Sequence, residues 1–220
     1  MHLDTPPLTR PWRVVLMDDH NLVRHGVAAL LRTDGRYSVV GEADNGEDGL
    51  QLLETTPADL VLLDLSMPRL NGLETTRRLS RKFPRVGILI LSMYNDEQFV
   101  AQTLADGARG YILKNAMDEE MFKALDTVLH GGQYISPAIN MINVRQQSFE
   151  SVELTIRERE ILQLIVEGHT TQDIAEMLII SPHTATRHRA NLMQKLDVHS
   201  QVGLIRVAAA RGLIVIPKTF

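Results

Sequence analysis

The chain has 220 residues, 44% hydrophobic and 23% charged, and contains no cysteine. That balance suits a globular protein with room for two small domains, and it excludes disulfides and thiolate metal sites. The formal charge of −4 is divided unevenly, −5 over residues 1–150 and +1 over residues 151–220, so the placement of charge matters more than its sum.

The amino terminus, MHLDTPPLTRPW, is polar and broken by proline, unlike the apolar stretch of a signal peptide. No apolar run approaches the roughly 18 residues of a membrane helix. A soluble cytoplasmic protein with a tail over residues 1–12 is expected. From Arg13 onward, short apolar runs at Val14–Met17, Tyr37–Gly41, Leu60–Leu63, Gly87–Leu91 and Gly110–Leu113 predict strands. Between them, Leu22–Leu31, Gly49–Leu53, Leu73–Leu79 and Phe99–Ala105 carry helical spacing, and Asp118–Leu129 closes the series. Strictly alternating elements predict an α/β domain with a doubly wound five-stranded parallel sheet over residues 13–131.

Residues 132–150 are glycine-, proline- and polar-rich without a sustained period and read as a linker or partly helical connector. Over residues 151–216 the pattern turns helical. Thr155 and Glu158 have capping-box spacing and open a helix running to Gly168. A second helix is predicted from Thr171 to Leu178, and Ser181 with Pro182 starts a third that reaches Leu196. Ser200 opens a fourth, ending near Gly212.

Sites in doubly wound sheets form beyond the carboxyl ends of the strands. Those ends here carry Asp18 and Asp19, Asp64, Ser92 and Lys114. Polar loop ends are common, and that alone accounts for Ser92. It accounts less well for three carboxylates and a lysine on one rim. Two carboxylates about 4 Å apart repel by roughly 4 kcal/mol at an effective dielectric near 20, so three need a cation or altered protonation. A hard divalent ion such as Mg²⁺ suits oxygen ligands, and a lysine can hold an anion. An aspartate so placed is equipped to accept a phosphoryl group.

The ordered motifs MDDH, LLDLSMPRLNGLE, LILSMYND and GYILKNA resemble the receiver domain of two-component response regulators, a flavodoxin-like fold shared with CheY. The resemblance implies Asp64 as phosphoacceptor, Asp19 as a direct Mg²⁺ ligand, Asp18 as its water-mediated neighbour, and the Ser66 carbonyl as a further ligand. It also implies Ser92 as the switch hydroxyl, Tyr111 as the switch aromatic and Lys114 as the phosphate-binding lysine. Taken singly, Tyr111 would read as a packed strand residue and Met67–Pro68 as a turn. Asn115 stands where many receivers have proline.

The later stretch LTIREREILQLIVEGHTTQDIAEMLIISPHTATRHRANLMQKLDV resembles the LuxR-type helix-turn-helix, so the whole chain resembles a NarL/FixJ-type response regulator. Ile156, Ala185 and Asp197 depart from that family's usual proline, valine and glycine. Independently, Pro182–Leu196 holds Arg187, Arg189, Lys195 and two histidines but no acid, a composition suited to DNA phosphates. Helical spacing places Ala185, Leu192 and Leu196 inward and Thr186, Arg187 and Ala190 on the outward side, and the resemblance implies that those three face the bases. Thr184, Arg189 and Lys195 are predicted phosphate contacts. His183 and His188 share no helix face, which argues against zinc.

The resemblance implies a sensor histidine kinase and double-stranded DNA as partners, Mg²⁺ as cofactor, and homodimers pairing through the helix at Ser200–Arg211. No enzyme activity is expected beyond slow self-dephosphorylation. Two rivals have a physical basis: a phosphatase using an aspartyl phosphate, and a DNA binder whose receiver only dimerises. The first would want an acid two residues after Asp64, where Ser66 stands; the second would tolerate loss of the acid set, which is intact.

Overall fold

The computed structural model describes residues 10–146, 154–210 and 213–214. Most of the predicted tail, the end of the predicted linker, Gly212 and the predicted domain end at 216 lie outside them. The strands are β1 (Trp12–Met17), β2 (Tyr37–Ala43), β3 (Leu60–Asp64), β4 (Gly87–Ser92), β5 (Gly110–Leu113) and β6 (Tyr134–Ile135). They form one parallel sheet in the order β2-β1-β3-β4-β5-β6. The order reverses beside β1, so the carboxyl ends of β1 and β3 flank the crevice where such sheets bind ligands.

The helices between the strands are α1 (Asn21–Arg32), α2 (Gly46–Thr55), α3 (Gly72–Lys82), α4 (Glu97–Ala105) and α5 (Met117–Leu129). Alternate strand residues face opposite sides. Val14, Leu16, Leu60 and Leu62 pack with α1 and α5, while Val15, Met17, Val61 and Leu63 pack with α2, α3 and α4. Burial on both faces explains why β3 is apolar throughout until Asp64. Polar side chains set the starts of three helices. Asn45, Asn71 and Asp96 accept hydrogen bonds from the backbone N–H groups of Asp48, Glu74 and Gln98, satisfying donors the helices leave open.

The expected five strands become six, because residues beyond α5 return to the free edge of β5. Tyr134 N–H donates to the Arg109 carbonyl at 3.0 Å, and Ser136 N–H to that of Tyr111 at 2.9 Å. A short helix, α6 (Met141–Gln146), then lies against α4, with Ile139 and Val144 buried in the receiver core. A two-residue strand has no period of its own; its stability comes from capping an exposed edge.

The carboxyl-terminal part comprises α7 (Ile156–Val166), α8 (Thr171–Met177), α9 (Pro182–Lys195) and α10 (Gln201–Ala210). Complete capping boxes open α7 at Thr155/Glu158 and α8 at Thr170/Asp173. Ser181 caps α9, with Pro182 in its first turn. Ile161, Leu162, Ile165, Ile174, Leu192, Leu196, Leu204 and Ala208 build the core.

Between α8 and α9, Ile179 adopts a φ of 53°, a conformation that β-branched residues resist, and its side chain is 93% exposed. The left-handed conformation costs roughly 1–2 kcal/mol, and glycine would surrender about 0.5–1 of that through unfolded-state entropy. Ile179→Gly is therefore expected to raise stability by about 0.5–1 kcal/mol. Thermal unfolding checks this; a lowered midpoint would show that the exposed side chain holds something in place.

Candidate functional site

Asp64 closes β3 with its carboxylate 3% exposed, and Asp18, directly after β1, is 4% exposed. Lys114 follows β5 and places its Nζ 2.7 Å from Asp18 Oδ2 and 3.1 Å from Asp64 Oδ2. The second distance is an ion pair rather than a directed hydrogen bond, since Asp64 Oδ2 has no hydrogen-bond partner among the described residues. Asp19 Oδ1 is likewise buried without one, although His20 Nδ1 lies 2.8 Å away. One ligand atom each from Asp18, Asp19, His20 and Asp64 falls within 4.8 Å of the others.

Electrostatics follow from that crowding. Burial pushes the Asp64 carboxyl up to about 6, with Asp18 adding to the rise and Lys114 opposing it. Burial also raises Asp19, against the pull of His20. Lys114 is raised because Asp64 and Asp18 together outweigh the downward push of its own burial. Orphaned carboxylate oxygens, raised carboxyls and three carboxylates, with His20 beside them, fit a hard divalent cation. The Ser66 backbone also opposes the rise at Asp64, and the predicted carbonyl ligand belongs to that residue, on the adjoining loop.

That loop depends on Gly72. A Cβ there would fall 2.2 Å from the Asp64 carbonyl oxygen and 2.6 Å from Leu65 Cα, while Gly72 N–H donates to the Leu65 carbonyl at 3.0 Å. Only glycine allows the chain to fold back this closely behind the acid.

Ser92, fully buried at the end of β4, accepts from Tyr94 N–H at 3.1 Å. Tyr111 is also fully buried, and its hydroxyl donates to the Tyr94 carbonyl at 2.7 Å. The ring of Tyr111, the expected switch aromatic, is therefore already inside in this structure. Tyr111 shares its core cluster with Ile139 and Val144, from the returning segment. All described peptide bonds are trans, including that before Asn115.

A cavity of about 220 Å³ opens over Asp64, lined by Asp19, His20, Ser66, Tyr94 and Lys114, and by Glu167 from the end of α7. Sequence reasoning assigned no role to His20 or Glu167. His20 stood inside a quoted motif, but Glu167 lies 103 positions beyond Asp64 with no local signal.

On α9, Ala185, Leu192 and Leu196 are buried as predicted, and Thr186, Arg187 and Ala190 are exposed. The other polar residues are partly engaged within the domain. Thr184 Oγ1 lies 2.8 Å from the Ser181 hydroxyl, and Arg189 donates to Gln201 at 3.0 Å. Thr186 donates to the Pro182 carbonyl at 2.9 Å. Lys195 sits 2.7 Å from Glu158, the buried carboxylate of the α7 capping box. Against the upward push of burial, Lys195 and Thr155 hold that carboxyl below the usual range. Lys195 thus has a structural role within the domain, which reduces its availability to DNA phosphates. Arg187 is exposed and makes no hydrogen bond or ion pair among the described residues.

Comparison with known proteins agrees with both halves. Residues 14–126 match the response regulator receiver domain family, and residues 152–208 match the bacterial regulatory proteins of the luxR family. The transcriptional regulatory protein DegU of Brevibacillus brevis is 33% identical, over 92% of this chain and 94% of its own. The oxygen regulatory protein NreC of Staphylococcus carnosus is 36% identical, over 92% of this chain and 99% of its own. Among solved structures, RcsB from Salmonella enterica serovar Typhimurium, bound to promoter rprA with the phosphomimetic BeF3⁻, superposes with a TM-score of 0.61. It is 25% identical and covers 90% of this chain and 99% of its own. No described helix is long and apolar enough to cross a membrane. An acid-and-lysine rim on a receiver sheet, followed by a LuxR-type helix-turn-helix, makes this chain a member of the NarL/FixJ-type two-component response regulators, which are DNA-binding regulators of transcription.

Proposed function

We propose that Asp64 accepts a phosphoryl group from a sensor histidine kinase and that this controls promoter binding and dimerisation. The observation that carries the proposal is the Asp64 carboxylate: it is buried, pushed up by its surroundings, and has an oxygen without a hydrogen bond beside Lys114 at the floor of an open cavity. Attack by that oxygen on phosphorus forms an acyl phosphate as the donor's bond to phosphorus breaks. Lys114, now paired with Asp18 and Asp64, would turn to the new phosphoryl oxygens, and the Ser92 hydroxyl stands ready to donate to them. Asp18, Asp19, Asp64 and the Ser66 carbonyl would hold Mg²⁺. When bound, the ion would offset charge on the transferring group. The chain's own part is then phosphotransfer and, at most, slow self-dephosphorylation.

We place the receiver at residues 13–131, with the segment 134–144 packed on it, the connector at 132–150 and the DNA-binding domain at 151–216. Its site of action would be the cytoplasm, as for a soluble regulator. Thr186, Arg187 and Ala190 would face base edges, with Thr184 and Arg189 on phosphates and Lys195 contributing only if it leaves Glu158. Pairing would use α10, where Val202 is 77% exposed. Val202→Glu is expected to weaken dimerisation on DNA by about tenfold or more, roughly the 1.4 kcal/mol of one lost apolar contact plus a buried charge. Sedimentation with a two-site duplex measures it, and an unchanged dimer would move the interface elsewhere.

Incubating the chain with phosphoramidate and Mg²⁺, then mapping the modification by mass spectrometry, tests the central assignment. Phosphate on any residue other than Asp64 would overturn it.

A further inference from the structure

β6 ends at Ile135, and the residue after it completes the edge of β5. In a parallel ladder the Ser136 carbonyl would accept the Leu113 N–H. That carbonyl instead accepts from Ile139 N–H at 3.0 Å, and Pro137 has no N–H with which to carry the strand on. The Ser136 hydroxyl takes the carbonyl's place. Leu113 N–H donates to Ser136 Oγ at 3.0 Å, and Ser136 Oγ donates to Glu120 Oε2 at 2.5 Å. Ser136 is buried, and its N–H, carbonyl and hydroxyl are all engaged.

Those two partners bracket Lys114. Leu113 is the residue before it, aligned across the sheet with Ser92. Glu120 lies in the first turn of α5, which the three-residue turn Lys114–Ala116 joins to β5. One hydroxyl thus ties the strand that enters this turn to the helix that leaves it. The turn contains no proline, so its backbone has no covalent stiffening of its own. With its hydrogen committed to Glu120, the hydroxyl keeps its lone pairs for Leu113. A serine that merely sealed the sheet edge would need the bond to Leu113 alone. The bond to Glu120 reaches past the strand, to the element on the other side of the lysine.

We propose that Ser136 is a positioning residue for Lys114: by holding both ends of the Lys114–Ala116 turn, it keeps the ammonium in reach of Asp64 and of a phosphoryl group formed there. Lys114 Nζ stands 2.7 Å from Asp18 and 3.1 Å from Asp64, so a small rotation of the turn moves its charge off the transferring oxygens. Misplacing a reacting or charged group by about 1 Å can cost on the order of a hundredfold in rate. Loss of the hydroxyl would leave Leu113 N–H buried without an acceptor and free Glu120, releasing the turn at both ends. The acceptor site is thus completed from outside the alternating strands and helices, by the connector that leads to the DNA-binding domain.

The inference rests on Asp64 being the phosphoacceptor. Its test uses the full chain with phosphoramidate and Mg²⁺, comparing the wild type with Ser136→Ala and Glu120→Ala. Glu120→Ala leaves the bonds between β5 and the connector in place, so it decides the matter if Ser136→Ala does not fold. Ser136→Ala is expected to slow phosphorylation of Asp64 about tenfold, and Glu120→Ala about threefold or more. In the same proteins without donor, acetic anhydride is expected to label Lys114 about threefold faster or more than in the wild type, as the amine leaves its carboxylates. Deuterium uptake over β3 is expected to stay unchanged, which separates a displaced lysine from a loosened sheet. Rates within about twofold of wild type in the folded variants overturn the proposal. So does slowed phosphorylation with Lys114 labelling unchanged, or with β3 uptake rising alongside it. If the wild type takes phosphate elsewhere than Asp64, the functional assignment itself falls, an outcome visible in the mass spectra, while the labelling still reports whether Ser136 holds Lys114.

Discussion

Asp64→Asn is expected to abolish phosphorylation and, without divalent cations, to make the receiver more stable than wild type at pH 7.5. In the fold this carboxyl is raised to about 6, mainly by burial, against about 3.9 when unfolded. A raised acid contributes its stability fully below the unfolded value and loses it as pH climbs through the folded value. At pH 7.5 the ionised group therefore costs the fold about 2–3 kcal/mol, from 1.36 kcal/mol per unit. Asparagine carries no charge to desolvate, so the variant's advantage should amount to about 5–10 °C in midpoint for a chain of this size. The advantage should shrink towards zero below about pH 4. Adding Mg²⁺ should close the gap from the other side, because the wild type binds it better and is stabilised by mass action. Thermal scans at pH 4 and 7.5, with EDTA and with Mg²⁺, measure all of this. A variant less stable than wild type at pH 7.5 in EDTA would mean that Asp64 is a structural partner of Lys114 rather than an acid held for chemistry.

The second large effect is expected at Arg187. Its guanidinium is exposed on α9 and uncommitted among the described residues, whereas Thr184, Thr186, Arg189 and Lys195 each have an intradomain partner. A bidentate arginine–guanine pair is worth about 1–3 kcal/mol of discrimination. Arg187→Ala should therefore weaken binding to a selected site by roughly ten- to a hundredfold while relaxing preference at one base position. Lys195→Ala should act differently: it strips the buried Glu158 of its cation and loosens the α7 cap, so it should lower stability before it alters the salt dependence of DNA binding. Selection from random duplexes, followed by titrations at two salt concentrations, separates the two. If Arg187→Ala reduced affinity equally for every sequence, the residue would be a phosphate contact instead.

Much of this was legible along the chain because it is local. Strand period, helix spacing and caps such as Thr155/Glu158 and Ser181/Pro182 involve residues within a few positions of one another, and the structure reproduces them. Helix starts at α2 and α4 slipped by two or three residues, since polar first turns carry no apolar period to read. The acid rim was legible for another reason: successive parallel strands all end on the same side, so the residues after β1, β3, β4 and β5 must converge. The structure supplies what such logic cannot, including which oxygens lack partners and which carboxylate pairs with Lys114.

Tertiary structure alone decided the rest. β6 has two residues and holds only because the β5 edge was open. The ion pair of Lys195 with Glu158 spans 37 positions, and the Asn71–Gln163 contact spans 92. Their donors and acceptors have no periodic signature, because each is satisfied by a group brought near by packing rather than by sequence spacing. The chain by itself therefore determined an acid-and-lysine rim and a basic helix suited to DNA phosphates. The packing of α7 on α3 decided that the two domains share a contact at that rim, because burial and charge pairing across such separations exist only in the assembled fold.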